Sequence, residues 1–370
     1  MKPIICVNLL PFRALNMSQT NPGNQKKLLN GVRPSRIIYP ILFGLAVVVY
    51  MLSKEVDSNT FSLIEFTWYS LFWLCIALVM MIIRDLGYMA RLRILTDGKF
   101  SWRKSFRIIM LWEFTSAVTP SAIGGTSVAI LYLNKEGLKV GRSSAVVMST
   151  SFLDELYFIV MFPLLILLLD VQQLFMIDSP EHSLWLDSLL YFALGGYLVK
   201  LLYLIVLTYG LFWNPRGLKW LLLWIFKLPV LRKWKHGANK AGSDIIESSK
   251  ELRRKPFRFW FKAFMATFCS WTARYWVVNA MLLAFWFQGY AFSEHIMIFA
   301  RQLVMWIMML VSPTPGGSGF SEWVFTQYLG DFLPSAGLAA SMALIWRLIS
   351  YYPYLFIGVY LLPRWIKKNF

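Results

Sequence analysis

Long apolar stretches alternate with short polar segments along most of the chain. A membrane-spanning helix needs about 20 apolar residues, with a range of about 17–25. Six stretches approach or exceed that length with few charged residues. They predict six full spans, at residues 37–52, 61–83, 145–169, 189–212, 259–287 and 336–362.

Two further apolar stretches, 106–133 and 296–329, are interrupted by short sequence motifs that end a helix. The first contains Thr119, Pro120, Gly124 and Gly125, and the second contains Pro313, Pro315, Gly316, Gly317 and Gly319. Proline removes a backbone donor and glycine permits a tight reversal. Each stretch is therefore predicted to be a re-entrant hairpin, which returns to the side of the membrane from which it entered. The alternative is that some hairpin arms are complete spans, giving about eight.

The charged residues between these stretches alternate in sign along the chain. Lys and Arg predominate in 1–36, 84–107 and 213–257, whereas 170–188 contains four acids and no Lys or Arg. Basic loops favour the cytoplasmic side. This pattern predicts a cytoplasmic basic leader at 1–36 and a cytoplasmic tail at 363–370 in a cell membrane protein.

The two halves of the chain show the same order of elements. Residues 37–169 contain two spans, the hairpin 106–133 and a third span, and residues 189–362 repeat that order around the hairpin 296–329 with every direction reversed. An inverted repeat of this kind is typical of secondary transporters. The second half also contains the basic insert 213–257, in which 218–230 is predicted to be a helix lying on the membrane surface.

Composition supports an all-α polytopic integral membrane protein. Hydrophobic residues make up 58% of the chain, and only 15% of its residues are charged. The net charge of +18 lies mainly in the predicted loops, so nucleic-acid binding is not expected. The three cysteines and three histidines have no metal-ligand spacing, and we expect no metal and no cofactor.

Several charged residues fall inside the apolar stretches. A Lys or Arg at the centre of a bilayer costs about 2.5–3.5 kcal/mol, so such residues usually face a protein interior. They are candidate substrate-binding residues. The cations are Lys200, Arg274, Arg301 and Arg347, and the acids are Glu113, Asp154, Glu155 and Glu322.

These charges admit two interpretations. Arg274 and Arg347 can hold an anionic headgroup, assisted by helix N-termini at Thr126 and near Phe320. They can instead form structural ion pairs with Asp154 or Glu155. Lys200 and Arg301 can alternatively extend to the headgroup region.

The motifs themselves resemble those of the integral membrane region of lysylphosphatidylglycerol synthases, a flippase-like family. The resemblance covers about residues 37–362. It rests on three segments: Pro313 to Glu322, Thr119-Pro120 with Gly124-Gly125 and Lys135-Glu136-Gly137, and Arg347 with Pro353 and Gly358. Asp154-Glu155 stands where many members have Glu-Arg, and Ser321 stands where Arg is common.

This resemblance implies translocation of a lipid rather than chemistry on it. The synthases also have a soluble aminoacyl-transferase domain, and we expect this chain to act without one. The favoured function is to flip an anionic phospholipid or a lipid-linked substrate between leaflets. The alternatives are a non-catalytic membrane partner of a separate lipid-modifying or glycosyltransferase enzyme, and a membrane-embedded headgroup transferase.

Overall fold

The fold is all-helical in the parts of the chain that the structure describes. In a computed structural model, the described residues are 67–118, 124–175, 184–225, 246, 249–285, 291–309, 312, 314 and 316–369. The leader 1–36 and the predicted span 37–52 lie outside them.

Twelve α-helices form the described fold. In chain order they are α1 (Trp68–Leu95), α2 (Trp102–Val118), α3 (Gly124–Lys135), α4 (Val140–Leu168), α5 (Val171–Leu174), α6 (Leu184–Thr208, continued by a π-helical turn, Tyr209–Trp213), α7 (Pro215–Ile225), α8 (Phe257–Phe285), α9 (Phe292–Met308), α10 (Phe320–Leu329), α11 (Ala336–Ser350) and α12 (Tyr352–Asn369).

Four of the described segments are long and apolar enough to cross a membrane: Trp68–Leu95, Val140–Leu168, Tyr191–Trp213 and Ala336–Asn369. They coincide with four of the six predicted spans. Helix α8 has the length of a span, 29 residues, but it carries Arg274 near its middle. The protein is therefore a polytopic, helical membrane protein.

Helix α1 is longer than the sequence pattern indicated. The sequence pattern places the end of the span at residue 83 and places Arg84 to Arg93 in a loop, and this prediction is wrong. The helix continues to Leu95 because the side chains of Arg84 and Arg91 are buried against partners inside the protein. It ends where Asp97 and Gly98 adopt positive φ, and the Gly98 N–H donates to the Arg93 carbonyl at 2.8 Å.

Both predicted hairpins are pairs of packed helices. Helices α2 and α3 form the first pair and are joined by a hydrogen bond of 2.7 Å between Thr115 Oγ1 and Tyr132 Oη. Helices α9 and α10 form the second. Helix α10 begins at Phe320, as predicted, whereas α3 begins at Gly124 rather than after the glycine pair. Thr119, Pro120, Pro313 and Pro315 lie outside the described residues.

The helix lengths recur in order. Helices α1 and α8 have 28 and 29 residues, α2 and α9 have 17 each, and α3 and α10 have 12 and 10. The 29 residues of α4 correspond to α11 and α12, with 15 and 18. The break between the last two lies at Tyr351, just before Pro353, because proline lacks the N–H that would continue the helix.

Helices α1 and α8 cross closely at Gly87. A Cβ at that position would lie 2.8 Å from the Ala266 carbonyl oxygen and 2.9 Å from Ser270 Cβ. Beside the crossing, Ser270 Oγ donates to the Arg84 carbonyl at 2.8 Å. Small residues here bring the two backbones together, as is common between membrane helices.

The loops predicted to share a side of the membrane contact one another. At one end, Asp97 accepts from Arg142 at 2.9 Å and from Lys255 at 2.6 Å. At the other, Arg301 donates to the Gln173 carbonyl at 2.8 Å and to Asp331 at 3.1 Å. Helix α4, about 42 Å long at 1.5 Å per residue, separates the two ends.

The segment before α8 begins with the predicted surface helix. The predicted surface helix at 218–230 corresponds to α7, which exposes Trp220 and Trp224; residues 226–230 lie outside the described residues.

Accessibility labelling tests which end faces the cytoplasm. In a background without the natural cysteines, we expect Gln172→Cys to react with an impermeant thiol reagent on intact cells. Lys99→Cys should react only after lysis, because both positions are exposed but lie at opposite ends. Labelling of both from the same side would contradict the arrangement.

Candidate functional site

Charged and aromatic side chains meet at the middle of the bundle. Asp154 is the central residue of α4 and Trp271 is the central residue of α8. The Trp271 indole N–H donates to Asp154 Oδ1 at 2.7 Å. Each residue is about 21 Å from either end of its helix, so the contact marks the mid-depth of the protein.

Arg91 of α1 is the principal ionic partner of Asp154. Its Nη1 lies 2.5 Å from Asp154 Oδ1 and 3.2 Å from Thr267 Oγ1 of α8. This pair therefore joins α1, α4 and α8. The Arg91 side chain is 5% exposed and that of Asp154 is 23% exposed, so the carboxylate is the more accessible member.

Arg84 forms a second cluster with two acids. Its Nη1 lies 2.7 Å from Asp85 and its Nη2 lies 2.6 Å from Glu113 of α2. The Tyr354 hydroxyl of α12 donates to Asp85 at 2.9 Å. The cluster ties α2 and α12 to α1, and Arg84 is 1% exposed although each acid is more than one-fifth exposed.

The sequence interpretation missed Arg84, Asp85 and Arg91 because it placed them in a loop. A signal for them was present, since Arg84, Tyr88 and Arg91 are four and three residues apart and thus share one helix face. The Tyr88 ring lies between the two guanidinium groups, with centroid distances of 4.5 and 4.6 Å.

Lys200 of α6 pairs with Glu155 rather than extending to the headgroup region. Its Nζ lies 2.9 Å from both carboxylate oxygens and 3.4 Å from the centre of the Trp306 ring. The Trp306 ring is stacked on Phe158 at 3.6 Å. The amine is therefore enclosed by an acid and an aromatic surface, and the pair connects α4 to α6.

Arg347 pairs with Glu322, and neither is in contact with Asp154 or Glu155. Arg347 Nε donates to Glu322 Oε1 at 2.9 Å, and its Nη2 donates to the Gly316 carbonyl at 3.0 Å. The other oxygen of Glu322 accepts from the Gly319 N–H at 2.8 Å and from Ser321 Oγ at 2.7 Å. This buried network fixes the reversal of the second hairpin.

The end of α2 and the reversal at Gly316 meet at Tyr351. Its hydroxyl donates to the Ala117 carbonyl, near the end of α2, at 3.0 Å. A Cβ on Gly316, whose φ is +59°, would lie 2.7 Å from the same carbonyl and 2.5 Å from the Tyr351 ring. In the first hairpin, a Cβ on Gly125 would collide with Ser116. Glycine is needed at positions 125 and 316 because neighbouring atoms are in close contact there.

Two candidate cations, Arg301 and Arg274, form no mid-depth ion pair among the described residues. Arg301 lies near one end of the bundle, where it joins α9 to Gln173 and Asp331. Arg274 lies near mid-depth and packs against Trp271, with its Cζ 5.5 Å from the ring centroid. Among the described residues, no carboxylate lies within 4.0 Å of the Arg274 guanidinium group.

The alternative interpretation, in which Arg274 or Arg347 pairs with Asp154 or Glu155, is therefore not found among the described residues. Arg91 and Lys200 occupy those positions, since they approach α4 from two different sides. The structure also changes the predicted anion site of Arg274 and Arg347, because Arg347 is already paired with Glu322. In the described part of the chain, no group of three His, Cys, Asp or Glu side chains could hold a metal ion.

The fold and these buried ion pairs define a helical, polytopic membrane protein with a polar interior. A sequence model of the lysylphosphatidylglycerol synthase TM region matches residues 37–358, and the chain belongs to this family. The resemblance inferred from its motifs is thereby confirmed.

A curated relative is also described as a membrane protein. A UPF0104 membrane protein from Archaeoglobus fulgidus is 25% identical over 296 residues, which cover 78% of this chain and 81% of the relative.

Substitution at Gly316 tests the contact between the second reversal and the end of α2. We expect Gly316→Ala to destabilise the purified protein by at least about 1–2 kcal/mol, because of its positive φ and the adjacent carbonyl. Gly330→Ala is the control, since its Cβ would meet nothing nearer than 4.0 Å. Equal thermal unfolding midpoints for the two variants would contradict the contact.

The Glu322–Arg347 pair is tested by removing one member and then both. We expect Glu322→Gln to lower stability by about 3–5 kcal/mol, because it leaves a buried cation unpaired. Combining it with Arg347→Met should restore much of the loss. Thermal unfolding in detergent measures both, with the exposed Arg364→Met as control. A double variant no more stable than Glu322→Gln would show that the two residues are not coupled.

Proposed function

We propose that the protein moves a phosphate-bearing lipid headgroup between the two leaflets of the cell membrane. The observation that carries this proposal is the asymmetric burial of the ion pairs that Arg84 and Arg91 form. Arg84 and Arg91 are almost completely buried, whereas Glu113 and Asp154 are each 23% exposed. An ion pair that serves only to hold helices together does not need an accessible carboxylate. A polar route for a headgroup does need accessible charged groups.

A lipid substrate suits this arrangement. Its acyl chains can remain in the hydrocarbon while its headgroup crosses beside charged and aromatic side chains. The exposed apolar surface of α1, α4 and α6 is consistent with surrounding lipid. Polar residues at this depth in membrane proteins commonly mark a substrate pathway.

The proposed topology has six spans and two re-entrant hairpins in an inverted repeat, with both termini cytoplasmic. The recurring helix lengths and the two groups of mutually contacting loops support it. The second reversal and the end of α2 would then meet inside the membrane. Broken helices at that depth are tolerated where protein satisfies their backbone groups, as Arg347 and Glu322 do for the second reversal.

The proposed activity involves no chemical step. A general base must be free to accept a proton from the headgroup. The mid-depth carboxylates Asp85, Glu113, Asp154, Glu155 and Glu322 are instead each paired with an Arg or Lys. The family is described by its relation to a synthase, and this favours, as a second candidate, a non-catalytic membrane partner of a separate lipid-modifying enzyme.

Reconstitution tests the proposal directly. Vesicles containing the purified chain and a tail-fluorescent phospholipid should expose inner-leaflet label to an impermeant quencher faster than empty vesicles. Arg274→Gln should slow this roughly tenfold, because it removes the one unpaired mid-depth cation of the described residues. Lys262→Gln, an exposed cation on the same helix, should leave the rate unchanged.

Two results would count against translocation. One is a wild-type rate equal to that of empty vesicles for every phospholipid offered. The other is an equal loss in the Arg274 and Lys262 variants, which would indicate a general effect of surface charge. Specific association with a lipid-modifying enzyme, combined with the first result, would favour the partner function.

A further inference from the structure

The formal charges of the mid-depth side chains sum to zero in the described part of the chain. Five are cations and five are carboxylates: Arg84, Arg91, Lys200, Arg274 and Arg347, with Asp85, Glu113, Asp154, Glu155 and Glu322. Charges in a poorly hydrated interior are tolerated when they are compensated nearby. A headgroup that enters this interior with a net charge would therefore leave one charge uncompensated.

The sum is zero, but the charges are not matched one to one. Asp85 and Glu113 share the single cation Arg84, which leaves one negative charge in excess at that cluster. Arg274 has no carboxylate partner among the described residues, which leaves one positive charge in excess. Asp154, Glu155 and Glu322 each have a cation of their own.

A continuous set of side chains links these two unmatched charges. Arg84 lies 4.5 Å from the centre of the Tyr88 ring, and the Tyr88 and Trp271 rings are 6.3 Å apart in an edge-to-face contact. Arg274 lies 5.5 Å from the Trp271 centroid on the adjoining helical turn. The two unmatched charges are thus joined by a chain of side-chain contacts in the region of the α1–α8 crossing.

We propose that this region selects a zwitterionic headgroup, one that carries a phosphodiester and an ammonium group and has no net charge. The inference rests on the proposed lipid translocation and specifies its substrate class. Arg274 compensates the phosphodiester, because a guanidinium group donates two parallel hydrogen bonds to phosphate oxygens. The partly exposed carboxylates of Asp85 and Glu113 compensate the ammonium group.

Glu113 is the more suitable of the two acids to test. It comes from α2 of the first hairpin, whereas Asp85 is adjacent to Arg84 in the chain and is also held by Tyr354. Removing the Glu113 charge leaves Arg84 with Asp85 at 2.7 Å, so the cation keeps a partner. The excess negative charge is lost, and with it the basis for preferring an ammonium group.

The experiment compares three phospholipids with identical fluorescent acyl chains in vesicles containing the full chain. One has an ethanolamine headgroup, one has the same headgroup with its amine acetylated, and one has a glycerol headgroup. We expect wild-type protein to move the first roughly tenfold faster than either of the others, since both are net anions. Glu113→Gln should reduce this preference to about twofold or less. Lys262→Gln, as control, should keep it.

Failure of this inference can be distinguished from failure of the proposed function. If wild-type protein moves the acetylated or glycerol lipid as fast as the ethanolamine lipid, translocation stands and the zwitterionic preference is wrong. If it moves none of the three, translocation itself fails. If the preference persists in Glu113→Gln, Asp85→Asn decides, and persistence in both variants overturns the assignment of the ammonium site.

Discussion

The fold depends on the electrostatic demand that a charge removed from water be compensated. Each strongly buried mid-depth cation of the described residues is met by an acid, and in most cases the acid comes from another helix. Arg91 meets Asp154 across α1 and α4, and Lys200 meets Glu155 across α6 and α4. Breaking a pair of this kind costs far more than the pair itself contributes, because the remaining charge is stranded. The contacts therefore specify which helices are neighbours more than they add to stability.

The hairpins satisfy the same demand with backbone groups. A reversal inside the protein leaves carbonyl and N–H groups that no helix pairs. In the second hairpin, Arg347 donates to the Gly316 carbonyl and Glu322 accepts the Gly319 N–H. The motif Gly316 to Glu322 thus contains both the flexible residues that allow the turn and the acid that closes it. Arg347, 25 residues further along, supplies the opposite charge.

The sequence predicted the elements well where hydrophobicity alone determines them. Four spans, and a pair of helices at each predicted hairpin, appear close to their predicted positions, because apolar length and Pro-Gly interruptions are local properties. The end of α1 was misplaced because charge was taken as a sign of solvent exposure. Arg84 and Arg91 are charged yet buried, and only their partners on α2 and α4 make that possible. Ion-pair partners could not be predicted, since spacing along one helix does not reveal which neighbour faces it.

The adjacent acids of α4 have a mechanical consequence. Because neighbouring residues on a helix point about 100° apart, Asp154 holds α1 on one side while Glu155 holds α6 on another. Helix α4 cannot slide past either neighbour without separating an ion pair in the interior, so α1, α4 and α6 form one rigid block. Any large movement then falls to the elements outside that block. Those elements include α11 and α12, which are separate helices because the chain is interrupted at Tyr351.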